Sequence, residues 1–383
     1  MKIFLRILSY VTTALAACAV TLFFFARSLS GSAKLDQVRY LIENCFIEEA
    51  DLSAVDDAGA AAMVASLGDR WSYYLTAQEY ADHKEQVENA YVGIGITIAP
   101  TEDDQGFEII NVQPGGSAYD AGILPGDIIV SAQGQSTQGM TTSDLRDIVR
   151  GPEGTTVELE LLRGEEILSF QVERKQILTP VVTSELLEGN IGLVTIANFD
   201  ERCAQESIAA IESLRAQGAA ALIFDVRYNP GGYATELVKL LDYLLPEGEL
   251  FRTVDYAGKE QVDYSDEAHL DMPMAVVCNQ DSYSAAEFFP AAIREYGAGI
   301  VVGTPTCGKG YFQYTYELSD GSCIGLSVGK YFTPQGKSLA DVGIQPDIPV
   351  EVDEQTAYAI YLGTLEPQDD PQILAAVQAL KNP

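Results

Sequence analysis

Histidine is scarce in this chain, which has only two, His83 and His269, among 383 residues. Both lie in polar, acidic stretches that predict a solvated loop or helix surface. A serine becomes a nucleophile only when a neighbouring base takes its proton, and that base is usually histidine. The scarcity therefore disfavours a serine–histidine hydrolase, and leaves a lysine held without its proton as the alternative base.

Cysteine and basic residues are also few. Five of the six cysteines lie beyond residue 30, at wide spacings and with no Cys-x-x-Cys pair, so the pattern indicates neither a disulfide framework nor a zinc site. Only 23 basic residues face 56 acidic ones, and the net charge of −33 argues against nucleic acid or anionic lipid headgroups as partners. The length and a hydrophobic content of 47% predict two or three domains with proper cores.

The N-terminus carries a membrane signal. Lys2 and Arg6 precede an uncharged apolar run, residues 7–25, that is about long enough to cross a bilayer. Positive charge before the run and an acidic chain after it predict that the bulk of the protein is exported. The length of the run favours a retained anchor over residues 1–27. Cleavage after Ala33, or at a lipoprotein-like box ending in Cys18, remains open.

Three regions follow the membrane segment. Residues 28–88 have helical spacing, with a second helix predicted over residues 54–67 and a turn over residues 67–75 that holds the only tryptophan. Residues 89–177 change to short strands separated by glycines. The run from Ala118 to Ile128, Ala-x-x-Ala-Gly-Ile-x-Pro-Gly-Asp-Ile, resembles a PDZ domain of the type associated with bacterial proteases.

Strands and helices alternate from residue 178 onward, which predicts an α/β unit. The predicted strands cover residues 191–196, 220–226, 274–278 and 300–302, and the predicted helices cover residues 204–217, 235–245 and 284–296. After Lys309 the pattern is again that of strands, and a helical tail begins at about residue 355.

Ser284 and Lys309 are the best candidates for chemistry. Ser284 follows a buried strand and opens a helix, where unpaired backbone N–H groups and the positive end of the helix dipole can stabilise an oxyanion. The local sequence fits equally well a serine that only caps the helix, with Glu287 closing a capping box. Between Asp225 and Gly232 a buried strand ends in Asn-Pro-Gly-Gly, which is either a tight turn or a loop offering amides to a carbonyl oxygen.

Two other patterns point to different chemistry and are disfavoured. Residues 303–309 have the spacing of a phosphate-binding loop, but Gly310 replaces the required Ser or Thr and a strand follows. Ser327 fits both G-x-S-x-G and S-x-x-K, yet each pattern needs a helix at the serine, and a strand-like stretch running into Pro334 follows instead.

Taken together, the segments resemble the carboxy-terminal processing peptidases, also called tail-specific proteases. The motifs that carry the resemblance occur in the family's order: residues 67–75, 92–96 and 118–128, Asp225–Gly232, Ser284-Ala-x-Glu287, residues 302–313, Asp320–Ser322, Tyr331-x-Thr-Pro-x-Gly336 and Gly343–Asp347. The resemblance implies an α+β multidomain protein with an N-terminal helical segment, a PDZ β-domain over residues 89–177 and an α/β crotonase/ClpP-like serine protease core over residues 178–383.

The resemblance also implies a role for each site residue. Ser284 falls on the nucleophile, Lys309 on the general base and Gln313 on the residue that orients the lysine. The backbone amides of Ala285 and of Gly231 or Gly232 are the oxyanion-hole candidates. In the PDZ domain, Val92, Gly93, Ile94, Gly95 and Ile96 would bind a substrate's terminal carboxylate and pair with its tail as an added strand.

The implied activity is a serine endopeptidase that clips exported proteins at their C-termini, without a metal or other cofactor and with a homo-oligomer as an open possibility. Lysine is ordinarily protonated at neutral pH, so Lys309 needs burial away from carboxylates to act as a base. Tyr228 replaces a usual Asn of the family, and Pro290 should disturb the helix that Ser284 opens. The alternative is an inactive relative that uses its PDZ domain to bind exported proteins.

Overall fold

The computed structural model describes residues 34–87, 90–101 and 105–381. The predicted membrane segment lies outside them. Within this described part of the chain, no helix is both long enough and apolar enough to cross a bilayer. The chain divides into two compact units: one runs up to Ala77 and includes Thr315–Leu326, and the other contains Gln78–Tyr314 and the chain from Ser327 onward.

The first unit contains two helices. Helix α1 covers residues 34–45, and helix α2 covers Leu52–Ala65, two residues earlier than predicted. Asp51 sets the start of α2 because its carboxylate accepts the backbone N–H groups of Ser53 and Ala54 at 3.0 and 3.2 Å.

A short strand follows these helices. The turn predicted for residues 67–75 is wrong at its end, where Tyr73–Leu75 form strand β1. This strand pairs antiparallel with Cys323–Gly325, nearly 250 residues further along the chain. The Tyr73 ring covers Gly325, where any side chain would collide with it. A pairing that is so distant in sequence leaves no local pattern from which to predict the strand.

The PDZ region follows helix α3 (Ala77–Val87) and confirms the predicted β-domain. Its elements are β2 (Ala90–Gly93), β3 (Ile96–Pro100), β4 (Phe107–Val112), α4 (Ser117–Asp120), β5 (Ile128–Ala132), β6 (Gln135–Ser136), α5 (Thr142–Val149), β7 (Thr156–Arg163), β8 (Glu166–Glu173) and β9 (Lys175–Leu178). The main sheet has the order β3-β4-β5-β7-β8, and β2 pairs with β9. Strand β3 is therefore an edge strand.

Asp127 and Arg163 form an ion pair inside the PDZ region. The Asp127 carboxylate accepts Nε and Nη2 of Arg163, each at 2.7 Å, and the N–H of Leu124 at 2.9 Å. Burial alone would raise the pKa of Asp127, but these hydrogen bonds and the charge of Arg163 lower it below 3.8. The carboxylate therefore stabilises the fold above about pH 3.8, and this contribution is lost as the pH falls through the lowered value.

Asp127→Asn is expected to lower the free energy of unfolding by about 2 kcal/mol at neutral pH, because charged hydrogen bonds are replaced by weaker ones. Denaturant unfolding of the wild type and the variant measures this, and the gap should narrow below about pH 4. The exposed pair of Arg146 and Asp147 provides the control: Asp147→Asn should change stability by under about 0.5 kcal/mol. Equal losses of unfolding free energy in Asp127→Asn and Asp147→Asn would contradict a specific stabilising role for the ion pair of Asp127 and Arg163.

The core of the second unit is an α/β layer structure. Its elements are β10 (Val182–Leu187), β11 (Ile191–Ile196), α6 (Cys203–Ala216), β12 (Ala221–Asp225), α7 (Ala234–Leu244), β15 (Met274–Cys278), α8 (Ala285–Glu295), β16 (Gly299–Gly303) and β19 (Ile348–Pro349). The sheet order is β10-β11-β12-β15-β16-β19, and it is parallel except for β10. The chain ends with α9 (Glu354–Tyr361), a short 3₁₀ turn (Pro367–Asp369) and α10 (Pro371–Lys381).

Strand β12 shows why this sheet is buried on both faces. Leu222 and Phe224 point into the cluster formed with α6, α7 and α8, whereas Ala221 and Ile223 join Ile373 of α10 on the other face. Parallel strands covered by helices on both faces read as continuous apolar runs, which is why β11, β12 and β15 are predictable from the sequence. Their carboxyl ends deliver the loops that hold the candidate site.

The remaining strands are β13 (Gly248–Asp255), β14 (Glu260–Ser265), β17 (Tyr311–Glu317) and β18 (Cys323–Phe332). The sequence predicts the last two but not β13 and β14, which form an antiparallel hairpin rich in charged residues. Strand β10 was missed as well, because half of it is exposed and polar at the edge of its sheet.

Candidate active site

Ser284 lies where the loop after β15 enters helix α8. Its backbone has φ 59° and ψ −128°, a combination that costs a non-glycine residue about 1–3 kcal/mol. The loop is held by Ser282, whose hydroxyl donates to the Val226 carbonyl at 2.7 Å and accepts the Asn279 N–H at 3.0 Å. Strain of this kind, maintained by surrounding hydrogen bonds, is typical of functional sites.

The Asn-Pro-Gly-Gly loop after β12 packs directly against Ser284. A side chain at Gly231 would bring its Cβ within 2.7 Å of the Ser284 Cβ, so only glycine allows this approach. The two loops are also joined by a hydrogen bond of 3.1 Å from the Tyr283 N–H to the Asn229 carbonyl. The structure thus brings the predicted oxyanion loop and the predicted nucleophile together.

The three backbone amides predicted for the oxyanion hole differ in whether their N–H groups already donate a hydrogen bond. The N–H of Gly231 donates to the Asn229 side chain at 2.8 Å, so it is occupied. The N–H groups of Gly232 and Ala285 donate to no other residue in the described part of the chain. These two amides are the ones available to a developing oxyanion.

Glu287 connects Ser284 to the loop that carries Lys309. One carboxylate oxygen accepts the backbone N–H of Ser284 at 3.1 Å and that of Lys309 at 2.8 Å. The two nitrogens are therefore at most 5.9 Å apart, the sum of these distances (3.1 plus 2.8 Å). The other oxygen accepts the Thr306 hydroxyl and the Gly308 N–H, each at 2.6 Å.

The Glu287 carboxylate is fully buried, and burial raises its pKa, while the hydrogen bonds that it accepts act in the opposite direction. All four partners donate to Glu287 in this arrangement, and the Thr306 oxygen in turn accepts the Ile344 N–H at 2.7 Å. The Ser-x-x-Glu spacing of a capping box is the sequence signal for the contact with Ser284, but nothing local indicates the contacts with Gly308 and Lys309.

Lys309 is half-buried, and its ammonium lies 5.7 Å from the centre of the Tyr283 ring. Glycines on both sides allow the chain to pack closely: Gly308 has φ +84°, and a Cβ on Gly310 would lie 2.5 Å from Ala340. The sequence predicted a solvated position for His83, but the structure shows that it is half-buried. Burial and the positive charge of Lys309 lower the pKa of His83 below 6.5.

Gln313 lies on β17 and donates to the Ser327 hydroxyl at 3.0 Å and to the Tyr311 carbonyl at 3.2 Å. Its predicted role in orienting Lys309 stays a prediction. Ser327 is inside strand β18 and opens no helix, as expected for a residue that only matches nucleophile patterns by accident.

Tyr331 is a neighbour of Ser284 that sequence reasoning did not single out. Burial raises the pKa of Tyr331 to about 12, and the neighbouring Ser284 side chain acts in the opposite direction. Its N–H donates to the Gly310 carbonyl at 3.0 Å, and its ring packs edge-on against Phe288 of α8. Tyr331 therefore stays protonated at neutral pH and cannot act as a base. The Tyr-x-Thr-Pro motif was the available signal.

The predicted carboxylate loop of the PDZ region, Val92–Ile96, joins β2 to β3. Its carbonyls at Ile94 and Gly95 accept N–H groups of Ala118 and Gln113, each at 2.9 Å. The N–H groups of the same two residues donate to no other described residue. A cavity of about 1000 Å³ adjoins Val92.

Comparisons with known proteins agree with these observations. The Peptidase family S41 model matches residues 190–350, and a PDZ domain model matches residues 108–163. The carboxy-terminal processing protease CtpA of Bacillus subtilis (strain 168) is 32% identical over 356 residues, covering 89% of this chain and 76% of that protein. The chloroplastic carboxyl-terminal-processing peptidase 2 of Arabidopsis thaliana is 32% identical over 303 residues, covering 75% of this chain and 59% of that protein.

A solved structure shares the fold. It is a protein of Bacteroides fragilis NCTC 9343 described as an S41 protease, which is 16% identical and covers 90% of this chain and 97% of its own, with a TM-score of 0.52.

Proposed function

Since the chain belongs to peptidase family S41, among the carboxy-terminal processing serine proteases, we propose that it is a membrane-anchored, extracytoplasmic endopeptidase. In this proposal the PDZ domain recognises the C-termini of exported proteins, and Ser284 and Lys309 cleave them through an acyl-enzyme. The observation that carries the proposal is the single Glu287 oxygen that binds the backbones of both Ser284 and Lys309.

The chemistry begins with a neutral Lys309. Its amine takes the proton of the Ser284 hydroxyl while the serine oxygen attacks the peptide carbonyl, and the amides of Gly232 and Ala285 bind the oxyanion. Lys309 then gives its proton to the leaving amine as the peptide bond breaks, which leaves an ester on Ser284. A water attacks this ester while Lys309 accepts its proton. Lys309 then returns that proton to the Ser284 oxygen as the ester bond breaks, which releases the acid product and restores both residues.

Substrate recognition is supported by the edge of the PDZ sheet. Among the described strands, β3 pairs only with β4, and an extended peptide could add as a further strand at its other edge. The N–H groups of Ile94 and Gly95, which donate to no described residue, supply a site for a terminal carboxylate. Ile96, Ile98 and Ile148 are partly buried against the PDZ core and offer apolar contact to the last side chains of the peptide.

The location rests on the N-terminal sequence alone. The charge pattern around residues 7–25 supports an anchor with the catalytic part outside. Membrane fractionation of the full chain tests this proposal: recovery of the full-length protein in the soluble fraction would contradict the anchor.

The proposed activity is tested with the full chain in detergent and a loosely folded protein ending in apolar residues. We expect a serine-directed fluorophosphonate to label Ser284, and cleavage to slow about tenfold or more when the substrate's C-terminal carboxylate is amidated. Mass spectrometry locates the label and the cut. Labelling at another serine would contradict the nucleophile, and equal cleavage of both substrates would contradict C-terminal recognition.

A further inference from the structure

Tyr228 lies three residues before Gly231 and has a left-handed backbone with φ +57°. Glycine and asparagine adopt this conformation readily, whereas it is unfavourable for a bulky aromatic residue. A residue persists in such a conformation only when the surrounding structure holds it there. The contacts of Tyr228 therefore matter for the loop that it begins.

The side chain of Tyr228 is docked on helix α9. Its hydroxyl donates to the Ala357 carbonyl at 3.0 Å, and its ring stands edge-on to Tyr361, with ring centres 5.3 Å apart and planes at 69°. On the other side, its backbone N–H donates to the Asn279 side chain at 3.0 Å. Tyr228 thus joins the C-terminal segment to the two loops of the candidate active site.

The preceding residue makes a second connection to the same segment. The Arg227 guanidinium contacts Asp225 at 2.6 Å and Asp370, just before α10, at 2.8 Å. It also donates to the Gln372 side chain at 2.9 Å. These buried ion pairs hold the start of α10 in place. Helix α9, in contrast, is attached through weaker contacts.

Helix α9 has no fully buried residue, and a cavity of about 240 Å³ lies beneath it, lined in part by Tyr228, Asn279 and Ile360. Few contacts therefore hold α9 in place, and those of Tyr228 are prominent among them. The loop continues from Tyr228 to Asn229, whose side chain binds the Ile196 carbonyl and the Gly231 N–H, each at 2.8 Å. A shift of Tyr228 would be passed on to Gly231, which touches Ser284.

We propose that Tyr228 is a positioning residue through which helix α9 holds the 229–232 loop, so that docking of the C-terminal segment sets the position of the Gly232 amide opposite Ser284. The inference rests on the proposed function, because it assigns that amide to the oxyanion. An oxyanion develops only in the transition state, so loss of this positioning should lower kcat and leave KM nearly unchanged.

The test is a double-variant cycle in the full-length protein. Tyr361→Ala removes the ring on which Tyr228 rests and is expected to lower kcat about tenfold. Tyr228→Asn adopts the left-handed backbone without needing α9. In that background, Tyr361→Ala should change kcat less than about twofold. An equal effect of Tyr361→Ala in both backgrounds, or no effect in the wild type, would overturn the proposal.

Tyr358→Ala is the matched control, because Tyr358 lies on the same helix with the same exposed fraction, 63%, as Tyr361. It should leave kcat within about twofold of the wild type, and a loss equal to that of Tyr361→Ala would show a general effect of helix stability. A peptide boronate, which mimics the tetrahedral oxyanion, should bind Tyr361→Ala about tenfold more weakly while KM is unchanged. Ser284→Ala in the same assay separates the two ideas: cleavage within about tenfold of the wild-type rate there would overturn the proposed function itself.

Discussion

Ser284→Ala and Lys309→Ala are each expected to reduce peptide cleavage by about 10⁴-fold or more, and the double variant should be no slower than either single one. Residues that act as one unit lose nearly everything when either is removed, so their effects do not multiply. Single-turnover cleavage of a protein with an apolar C-terminus, measured from pH 6 to 9, gives the rates. A double variant that is slower by the product of the two effects would contradict a shared mechanism.

The matched control for Lys309 is Lys330, an exposed lysine whose ammonium is 5.8 Å from the Tyr311 ring, much as Lys309 is 5.7 Å from Tyr283. Lys330→Ala should leave the rate within about twofold of the wild type.

A cleavage rate that rises with pH above 7 would be assigned to loss of a proton from Lys309 rather than from His83. The pKa of His83 is lowered below 6.5, so this histidine is already mostly neutral at pH 7. The His83→Asn variant should therefore still show a cleavage rate that rises above pH 7.

Glu287→Gln is expected to lower cleavage by about 10²-fold and the free energy of unfolding by about 3–5 kcal/mol, the cost of breaking a buried charged network. The amide matches the carboxylate in size. In one orientation its NH₂ group would face the backbone N–H groups of Ser284 and Lys309, and in the other it would face the Gly308 N–H. Denaturant unfolding and kcat measured on the same preparation report the two effects.

Thr306 provides a graded comparison for Glu287. Thr306→Ser keeps the hydroxyl that donates to Glu287 and should resemble the wild type, whereas Thr306→Val removes one of the four donors and should fall between wild type and Glu287→Gln. A Glu287→Gln variant that is destabilised but fully active would show that the carboxylate supports the fold without positioning the two catalytic backbones.

Several elements were predictable from the sequence for a simple reason. Strands β11, β12 and β15 are buried on both faces and appear as continuous apolar runs, and helix α5 begins at a capping box of Thr141 and Asp144. The hairpin of β13 and β14 lacks such a run, because its strands are stabilised by pairing rather than by burial on two faces. Strand β1 depends on a partner nearly 250 residues away.

The sequence by itself determined the family and the order of its PDZ and peptidase regions, and it selected Ser284 and Lys309 as the candidate catalytic pair, because these follow from motifs whose spacing is local. Only the tertiary structure decided which of the candidate amides already has a hydrogen-bond acceptor, since the bond from the Gly231 N–H to the Asn229 side chain depends on the folded geometry. The same holds for Glu287 and Tyr228, whose partners come from loops and helices far along the chain. Buried polar groups must find partners wherever the fold places them, and no local pattern encodes that choice.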